Sequence, residues 1–469
     1  MTGDLHNSHT LVDTALDLKT KRLSPIELLE YHFDRIDMLN DKFNLYITIN
    51  RDNALLEAEK ATKEILDGHY KGPLHGIPYS VKDIFYTKGI PTTAGEKKLR
   101  CFRPGYNATL ISKLEQSGAI LIGKAHASYG EFFPEPDYGF TKNPWNSRYF
   151  AGYSSDGPAA AVALGTDLFS IGSDGGGSIR YPAACCGVIG LKPTFGRVSR
   201  HGSTVFGIPN DHAGPFTRTA KDAALVMNVI SGYDKMDPYS SNHHVPDYLK
   251  DIEKSIKGLK IGVLSGECWD SVDLEISNAI NDAINTFKQN GCQIKYLPAS
   301  TIVTAGNFHT LLSEVESAAY YQDQLKHWPA YYPDILMWRV INGSRVLAID
   351  YVQAIQIRQH LIKEISDCLN QVDLLITPIT MLPPPVLGKF RFTLNSQPLG
   401  ISDLSSKFCR PFNMSGHPAL SVPCGFTSKG LPIAFQLVSN YFNESVLLNA
   451  SNIYQKCSLW HLRRPYTTI

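Results

Sequence analysis

The stretch Gly172-Ser173-Asp174-Gly175-Gly176-Gly177-Ser178-Ile179-Arg180-Tyr181-Pro182 is the first place in the chain to look for chemistry. Three consecutive glycines let a backbone turn with its N–H groups aimed the same way and no side chain between them. A serine directly after such a turn has its hydroxyl beside a ready oxyanion hole. A glycine loop packed tightly against a neighbour is the alternative, and the stretch alone does not separate the two. It is not a G-x-S-x-G elbow, because Arg180 stands at the last glycine position. A serine nucleophile needs a base, and no histidine is close in sequence. A lysine can serve where burial leaves it neutral. Lys82, at the end of the run Ile77-Pro78-Tyr79-Ser80-Val81, is the candidate supplier. A lysine at a strand end is ordinarily a surface charge, so spacing leaves its role open.

Other motifs point away from cofactors. Gly118-Ala119-Ile120-Leu121-Ile122-Gly123-Lys124 nearly spells a phosphate-binding loop, but Ala125 stands where the magnesium-binding Ser or Thr is required. Its large aliphatic residues suit a buried strand better than an open cradle. The glycine run does not match G-x-G-x-x-G in register with a helix. The 15 histidines are scattered, and the nine cysteines contain no CxxC pair. We therefore expect no metal, no cofactor, and buried free thiols in a reducing compartment. The N-terminal MTGDLHNSHTLVD lacks a basic segment followed by an apolar one, and no apolar run approaches the ~20 residues of a membrane span. The expectation is a cytoplasmic protein without a membrane role. The 45 Lys+Arg against 44 Asp+Glu argue against binding nucleic acid directly through bulk charge.

Placing Lys82 and Ser178 together is work for the surrounding elements. Residues from about 8 to 66 read as helical, with Ser24-Pro25 and Glu27 resembling a capped start. Strand signals follow at 77–83, 119–123, 168–171, 260–264, 293–297 and 373–377, with helical stretches at 108–117, 276–287, 308–328 and 345–369 between them. This alternation predicts an α/β fold. At 469 residues and 43% hydrophobic content the chain can bury a large core unaided. With no repeat or long linker, one domain over 1–469 is the simplest reading. It would hold the helical segment at about 8–66, a catalytic core at about 70–230, and a more variable substrate-side region at about 235–400.

Further motifs stand in order along the chain: Leu74-His75-Gly76-Ile77-Pro78 with Val81-Lys82-Asp83, Asn143-Pro144-Trp145-Asn146, and Gly152-Tyr153-Ser154-Ser155-Asp156-Gly157. The triple-glycine loop, Gly187-Val188-Ile189-Gly190-Leu191-Lys192-Pro193-Thr194, Gly196-Arg197-Val198-Ser199, and Ala419-Leu420-Ser421-Val422-Pro423-Cys424-Gly425 continue the series. Together they resemble the amidase signature superfamily of Ser-Ser-Lys hydrolases over nearly the whole chain. The resemblance implies a single large domain with a mixed central β-sheet flanked by α-helices. It implies Ser178 as nucleophile, Lys82 as general base, and Ser154, after a cis bond from Tyr153, as the bridging serine. Backbone N–H groups of Gly175, Gly176, Gly177 and Ser178 would form the oxyanion hole, with Asp174 and Arg180 bracing the loop. The implied reaction is hydrolysis of a small-molecule amide or ester through an acyl-enzyme.

The chain also departs from the family. It reads GYSSDGP where GGSSGGS is usual, and Gly175 stands where a side chain is usual. Tyr153 is expected to narrow the site or to shift the bridging serine, and the Asp156 carboxylate to favour protonated Lys82; both are candidate substrate-binding residues. The segments Phe132–Phe140, Phe206–Asp211 and 308–345 are expected to line the pocket. Two other functions compete with a free-standing amidase. One is the A-type glutaminase component of a tRNA-dependent amidotransferase, for which Arg339 and Asp403 lie roughly where glutamine would be gripped. Such a component usually carries Asn-Met-Asp-Glu-Phe after Gly-Lys, whereas Gly123-Lys124 here leads into Ala125-His126-Ala127-Ser128. The other is a catalytically silent binding homologue with an unreactive Ser178. Assembly is left open, a homodimer being one expectation.

Overall fold

Ser24 opens the helix Pro25–Phe43 with a reciprocal cap. Its hydroxyl accepts the Glu27 N–H at 3.2 Å, and the Glu27 carboxylate accepts the Ser24 N–H at 2.9 Å. Pro25 sits in the first turn, where its missing N–H costs nothing. The computed structural model to which this helix belongs describes residues 10–128, 137–204, 210–266, 269, 271–298, 300–327, 330, 332–394, 397–401 and 403–465. The N-terminal segment is helical at Leu11–Lys19, Pro25–Phe43 and Arg51–Leu66, but not throughout. Tyr46-Ile47-Thr48-Ile49 interrupts it as a strand, because aromatic and β-branched residues suit a pleated edge better than a helix.

That strand, β1 (Tyr46–Ile49), edges a large mixed sheet. The other strands are β2 (Pro78–Lys82), β3 (Ile120–Ala125), β4 (Phe169–Ser173), β5 (Ile189–Lys192), β6 (Ala213–Thr217), β7 (Lys260–Ser265), β8 (Gln293–Pro298) and β9 (Leu374–Pro378). A separate hairpin is formed by β10 (Arg391–Leu394) and β11 (Gln397–Gly400), and the sheet is completed by β12 (Ala419–Phe426) and β13 (Pro432–Val438). The order is β1-β3-β2-β4-β6-β5-β12-β13-β9-β7-β8. Pairing is parallel for β3-β2-β4 and for β9-β7-β8, and antiparallel elsewhere. The six sequence-predicted strands all lie in this sheet, within two residues of their expected ends.

The central strands β2, β4, β5, β6 and β9 are buried along their whole length, as expected for a sheet covered on both faces. On one face, Tyr79, Val81, Ile171, Leu191, Leu420 and Phe435 join a core with the helices Thr109–Gln116, Ala220–Ile230, Leu274–Gln289 and Glu444–Ser458. Side chains alternate along a strand, so Ser80 and Lys82 project to the opposite face. The fully buried helix Asp156–Leu164 packs against β2 and β4 and helps cover the sheet there. The near-phosphate-loop motif is accounted for by β3. Its Lys124 is buried 3.0 Å from Asp83 Oδ1 and donates to Phe85 O and Thr92 Oγ1.

Candidate active site

Lys82 ends β2 with its side chain wholly buried. Its Nζ donates to Ser154 Oγ at 2.5 Å and to Ser173 Oγ at 2.9 Å. Burial drives its pKa down, while the negative charges of Asp211, Asp156 and Asp174 oppose the shift and Arg339 assists it; the outcome is about 8. Burial therefore outweighs the carboxylates. An amine in this state can accept a proton near neutral pH. Ser173 is a member of the site that no motif marks, apart from its place in the glycine-rich stretch.

Ser154 reaches Lys82 by a different turn from the one expected. Among the described residues no peptide bond is cis, including Tyr153–Ser154. The chain instead turns at Ser154, whose φ is 67°, and the Ser155 N–H closes on Tyr153 O at 2.8 Å. A left-handed serine thus supplies the reversal that the family pattern assigns to a cis bond. Such a residue costs about 1 kcal/mol or more and needs fixing on both sides. Ser154 N–H donates to Ser128 O at 2.7 Å, and Asp156 grips that same Ser128 through its N–H at 3.1 Å and its hydroxyl at 2.5 Å. Asp156 therefore has a structural task besides its charge: it holds the residue that holds Ser154.

The glycine loop leaves β4 and enters the helix Arg180–Cys186. Asp174 is its hub. Its carboxylate accepts the N–H of Gly177 at 2.6 Å and of Ile179 at 3.2 Å, and pairs with Arg180 Nε at 2.9 Å. Arg180 also donates to Cys409 O, Gln436 Oε1 and Asn413 Oδ1. Burial alone would raise the Asp174 pKa, but the charge and hydrogen bonds of Arg180 and the Asn413 amide hold it well below the usual carboxylate range. The bracing role expected for this pair is the geometry observed. Because the Gly177 N–H is engaged by Asp174, the N–H groups of Gly175, Gly176 and Ser178 are the ones without an acceptor among the described residues. Ser178 is half-buried, and its hydroxyl has no hydrogen-bond partner among those residues. The structure thus joins Lys82 to Ser154 and leaves the Ser178 hydroxyl unengaged.

Further polar groups surround the loop. Asp211, 6% exposed, has Oδ1 3.3 Å from where a Cβ on Gly175 would stand. Burial raises its pKa to about 6 against the lowering charges of Lys82 and Arg200. His309 Nε2 lies 2.5 Å from Gly175 O and donates to it; burial and the charge of Arg410 bring its pKa down to about 3, so the ring is neutral. The charge of Arg339 acts on Lys82, Asp211 and His309 together. Asp403 instead uses a carboxylate oxygen to accept the Gly400 N–H at 2.7 Å. Within the expected pocket segments, residues 132–136, 206–209, 328, 329 and 331 lie outside the described residues. No cluster of His, Cys, Asp or Glu suited to a metal ion occurs among the described residues, and no helix there is long and apolar enough to cross a membrane.

A family model described as Amidase matches residues 27–448. The chain belongs to this family. The match spans the glycine loop, Lys82 and Ser154, in agreement with the amidase signature resemblance and with a C–N hydrolase. Among curated relatives, the chain is similar to the A-type subunit of the Nitrosococcus oceani glutamyl-tRNA(Gln) amidotransferase, at 37% identity over 97% of this chain and 99% of that protein. Its fold resembles that of a bacterial aryl acylamidase of the amidase signature family, with a TM-score of 0.87 at 26% identity, covering 98% of this chain and 99% of that one. It also resembles the A-type subunit of the Thermotoga maritima glutamyl-tRNA(Gln) amidotransferase, with a TM-score of 0.79 at 26% identity over 96% and 95% of the two chains.

Proposed function

We infer that this amidase-family chain cleaves a carboxamide through an acyl-enzyme on Ser178, using Lys82 as base and Ser154 as relay. The observation that carries the reading is the buried Lys82 amine, with a pKa brought down to about 8, hydrogen-bonded to Ser154 at 2.5 Å. As Ser178 Oγ attacks the carbonyl carbon, its proton passes to Ser154 while the Ser154 proton passes to Lys82 Nζ. The carbonyl electron pair moves to oxygen, facing the N–H groups of Gly175, Gly176 and Ser178. Collapse breaks the C–N bond, and the proton held by Lys82 returns through Ser154 to the leaving amine. Water then repeats the sequence and releases the acid.

The relatives favour the glutaminase form of this reading over a free-standing amidase, since the A-type amidotransferase subunit is matched over nearly its full length. One observation favours the free-standing form: the TM-score to the aryl acylamidase, 0.87, is higher than the 0.79 to the amidotransferase subunit. The unpaired thiols of eight cysteines among the described residues support a cytoplasmic location. Titration of the denatured, unreduced protein is expected to count nine thiols, and a lower count would place disulfides in it.

The deciding experiment is fluorophosphonate labelling read by intact mass. A single adduct is expected on the wild type, lost in Ser178→Ala and strongly slowed in Lys82→Ala. Absence of an adduct at every pH would instead support a silent binding homologue. Ammonia release from glutamine, with and without a B-type partner protein, then separates the two active forms.

A further inference from the structure

A peptide group is planar, so whatever holds a carbonyl also aims the N–H of the next residue the opposite way. Two successive carbonyls of the glycine loop are held in this manner. Asp174 O accepts from Asn413 Nδ2 at 2.8 Å and from the His212 N–H at 3.1 Å, which fixes the peptide that carries the Gly175 N–H. Gly175 O accepts from His309 Nε2 at 2.5 Å, which fixes the peptide that carries the Gly176 N–H. The first peptide has several holders, since Asp174 and His212 also exchange a second backbone bond, Asp174 N–H to His212 O at 2.8 Å. The second has a single donor among the described residues, and it is a side chain.

His309 is built to stay there. It opens the helix His309–His327 and is 7% exposed. A Cβ on Gly176 would stand 3.2 Å from His309 Cε1, so the ring packs directly on the loop. Gly306, three residues earlier, lets the chain approach the helix Asp403–Ser415, because a Cβ there would stand 3.1 Å from Ser406 O. That helix also carries Asn413, so both side chains that hold the loop carbonyls share one support. Burial and the charge of Arg410 keep the ring neutral. Its proton then sits on Nε2, the tautomer that a carbonyl acceptor requires.

We propose that His309 is a positioning residue for the oxyanion hole: by holding Gly175 O, it aims the Gly176 N–H at the oxygen of the bound carbonyl. The proposal rests on Ser178 being the nucleophile, with the glycine loop as its oxyanion hole. A donor on the carbonyl also polarises the peptide, which strengthens the N–H at its other end. Charge on the substrate oxygen is largest in the transition state, so an aimed N–H speeds attack more than it tightens ground-state binding. The residue acts through the loop; the proton path through Lys82 and Ser154 does not involve it.

Two probes test this, a methyl fluorophosphonate and its thio counterpart, in which sulfur replaces the phosphoryl oxygen. In both, the Ser178 oxygen bonds to phosphorus, the P–F bond breaks, fluoride leaves, and the hydroxyl proton passes to the base. The phosphoryl oxygen gains charge during attack and faces the loop N–H groups, whereas sulfur accepts hydrogen bonds poorly. The readout is the ratio of the oxo to the thio inactivation rate constant, compared with that of the wild type so that intrinsic probe reactivity cancels. His309→Phe keeps a ring and removes the donor. It is expected to lower the ratio about 10-fold or more, short of the loss from deleting an oxyanion donor outright. His309→Gln, whose side-chain N–H takes the place of Nε2–H, is expected to keep most of the ratio, and His309→Ala stands in if His309→Phe does not fold. The rising pH limb set by Lys82 should stay in place in every variant, and a shift of that limb overturns the proposal by placing the effect on the base. An unchanged ratio, or equal slowing of both probes, overturns it while leaving Ser178 as nucleophile. If neither the wild type nor any variant is labelled by either probe, the nucleophile reading fails and the positioning role falls with it.

Discussion

Lys82 must lose a proton before it can accept one, and three nearby carboxylates oppose that loss. With its pKa near 8, about a tenth of the protein carries a neutral Lys82 at pH 7. The inactivation rate with a fluorophosphonate should therefore rise with pH and level off above an apparent pKa near 8. Asp211 is the largest of the opposing charges. Asp211→Asn removes a negative charge that stabilises the ammonium, so the rising limb should move to lower pH. A limb that stays in place would remove Asp211 from the electrostatics of the base. Lys82, Ser154 and the glycine loop were legible because they fall in ordered motifs. Asp211 and His309 were legible only as members of variable segments, and Ser173 only as a neighbour of the glycine run, with no role marked for any of them. Their roles arise from distant elements meeting at the loop, and single-sequence spacing carries no such information.

Helix and strand positions were readable wherever local chemistry and packing agree. The Ser24 cap is one instance: residue type, proline position and Glu27 all point to the same helix start. Ser24→Ala is expected to lower stability by about 1 kcal/mol in urea unfolding, while leaving fluorophosphonate reactivity intact. Strand β1 escaped detection because four residues between two amphipathic helices offer little periodicity, and its pairing with β3 is a tertiary fact. Gly214 shows a stricter demand on an element. It lies in β6 opposite Gly172, and a Cβ there would overlap Leu191 O and stand 3.0 Å from Pro193 Cδ. Gly214→Ala is expected to cost about 1–3 kcal/mol, because the neighbours are backbone and a ring that cannot swing aside. An unchanged urea midpoint would mean that the sheet opens there more easily than its packing implies.

Across the whole molecule, the sheet is closed by strands that arrive last in the chain. β12 and β13 lie between β5, from the first half, and β9, from the second. The same C-terminal region braces the candidate active site: Asn413 and Gln436 take Arg180 donors, and His417 O accepts from the buried Lys192 at 2.6 Å. Without them, Arg180 and Lys192 would be left with unpaired buried donors, and the edges of β5 and β9 would lie open. Both losses are costly, since a buried donor left without an acceptor destabilises by about 1–3 kcal/mol and open strand edges template aggregation. A chain ending at Ile401 retains Lys82, Ser154 and Ser178, yet it is expected to lack a cooperative thermal transition and to form no fluorophosphonate adduct. A soluble, cooperatively melting truncation labelled at Ser178 at the full-length rate would show that the first half of the sheet builds the site unaided. The order of the strands argues for the opposite: the glycine loop belongs to the N-terminal sequence, but its rigidity comes from residues more than two hundred positions later.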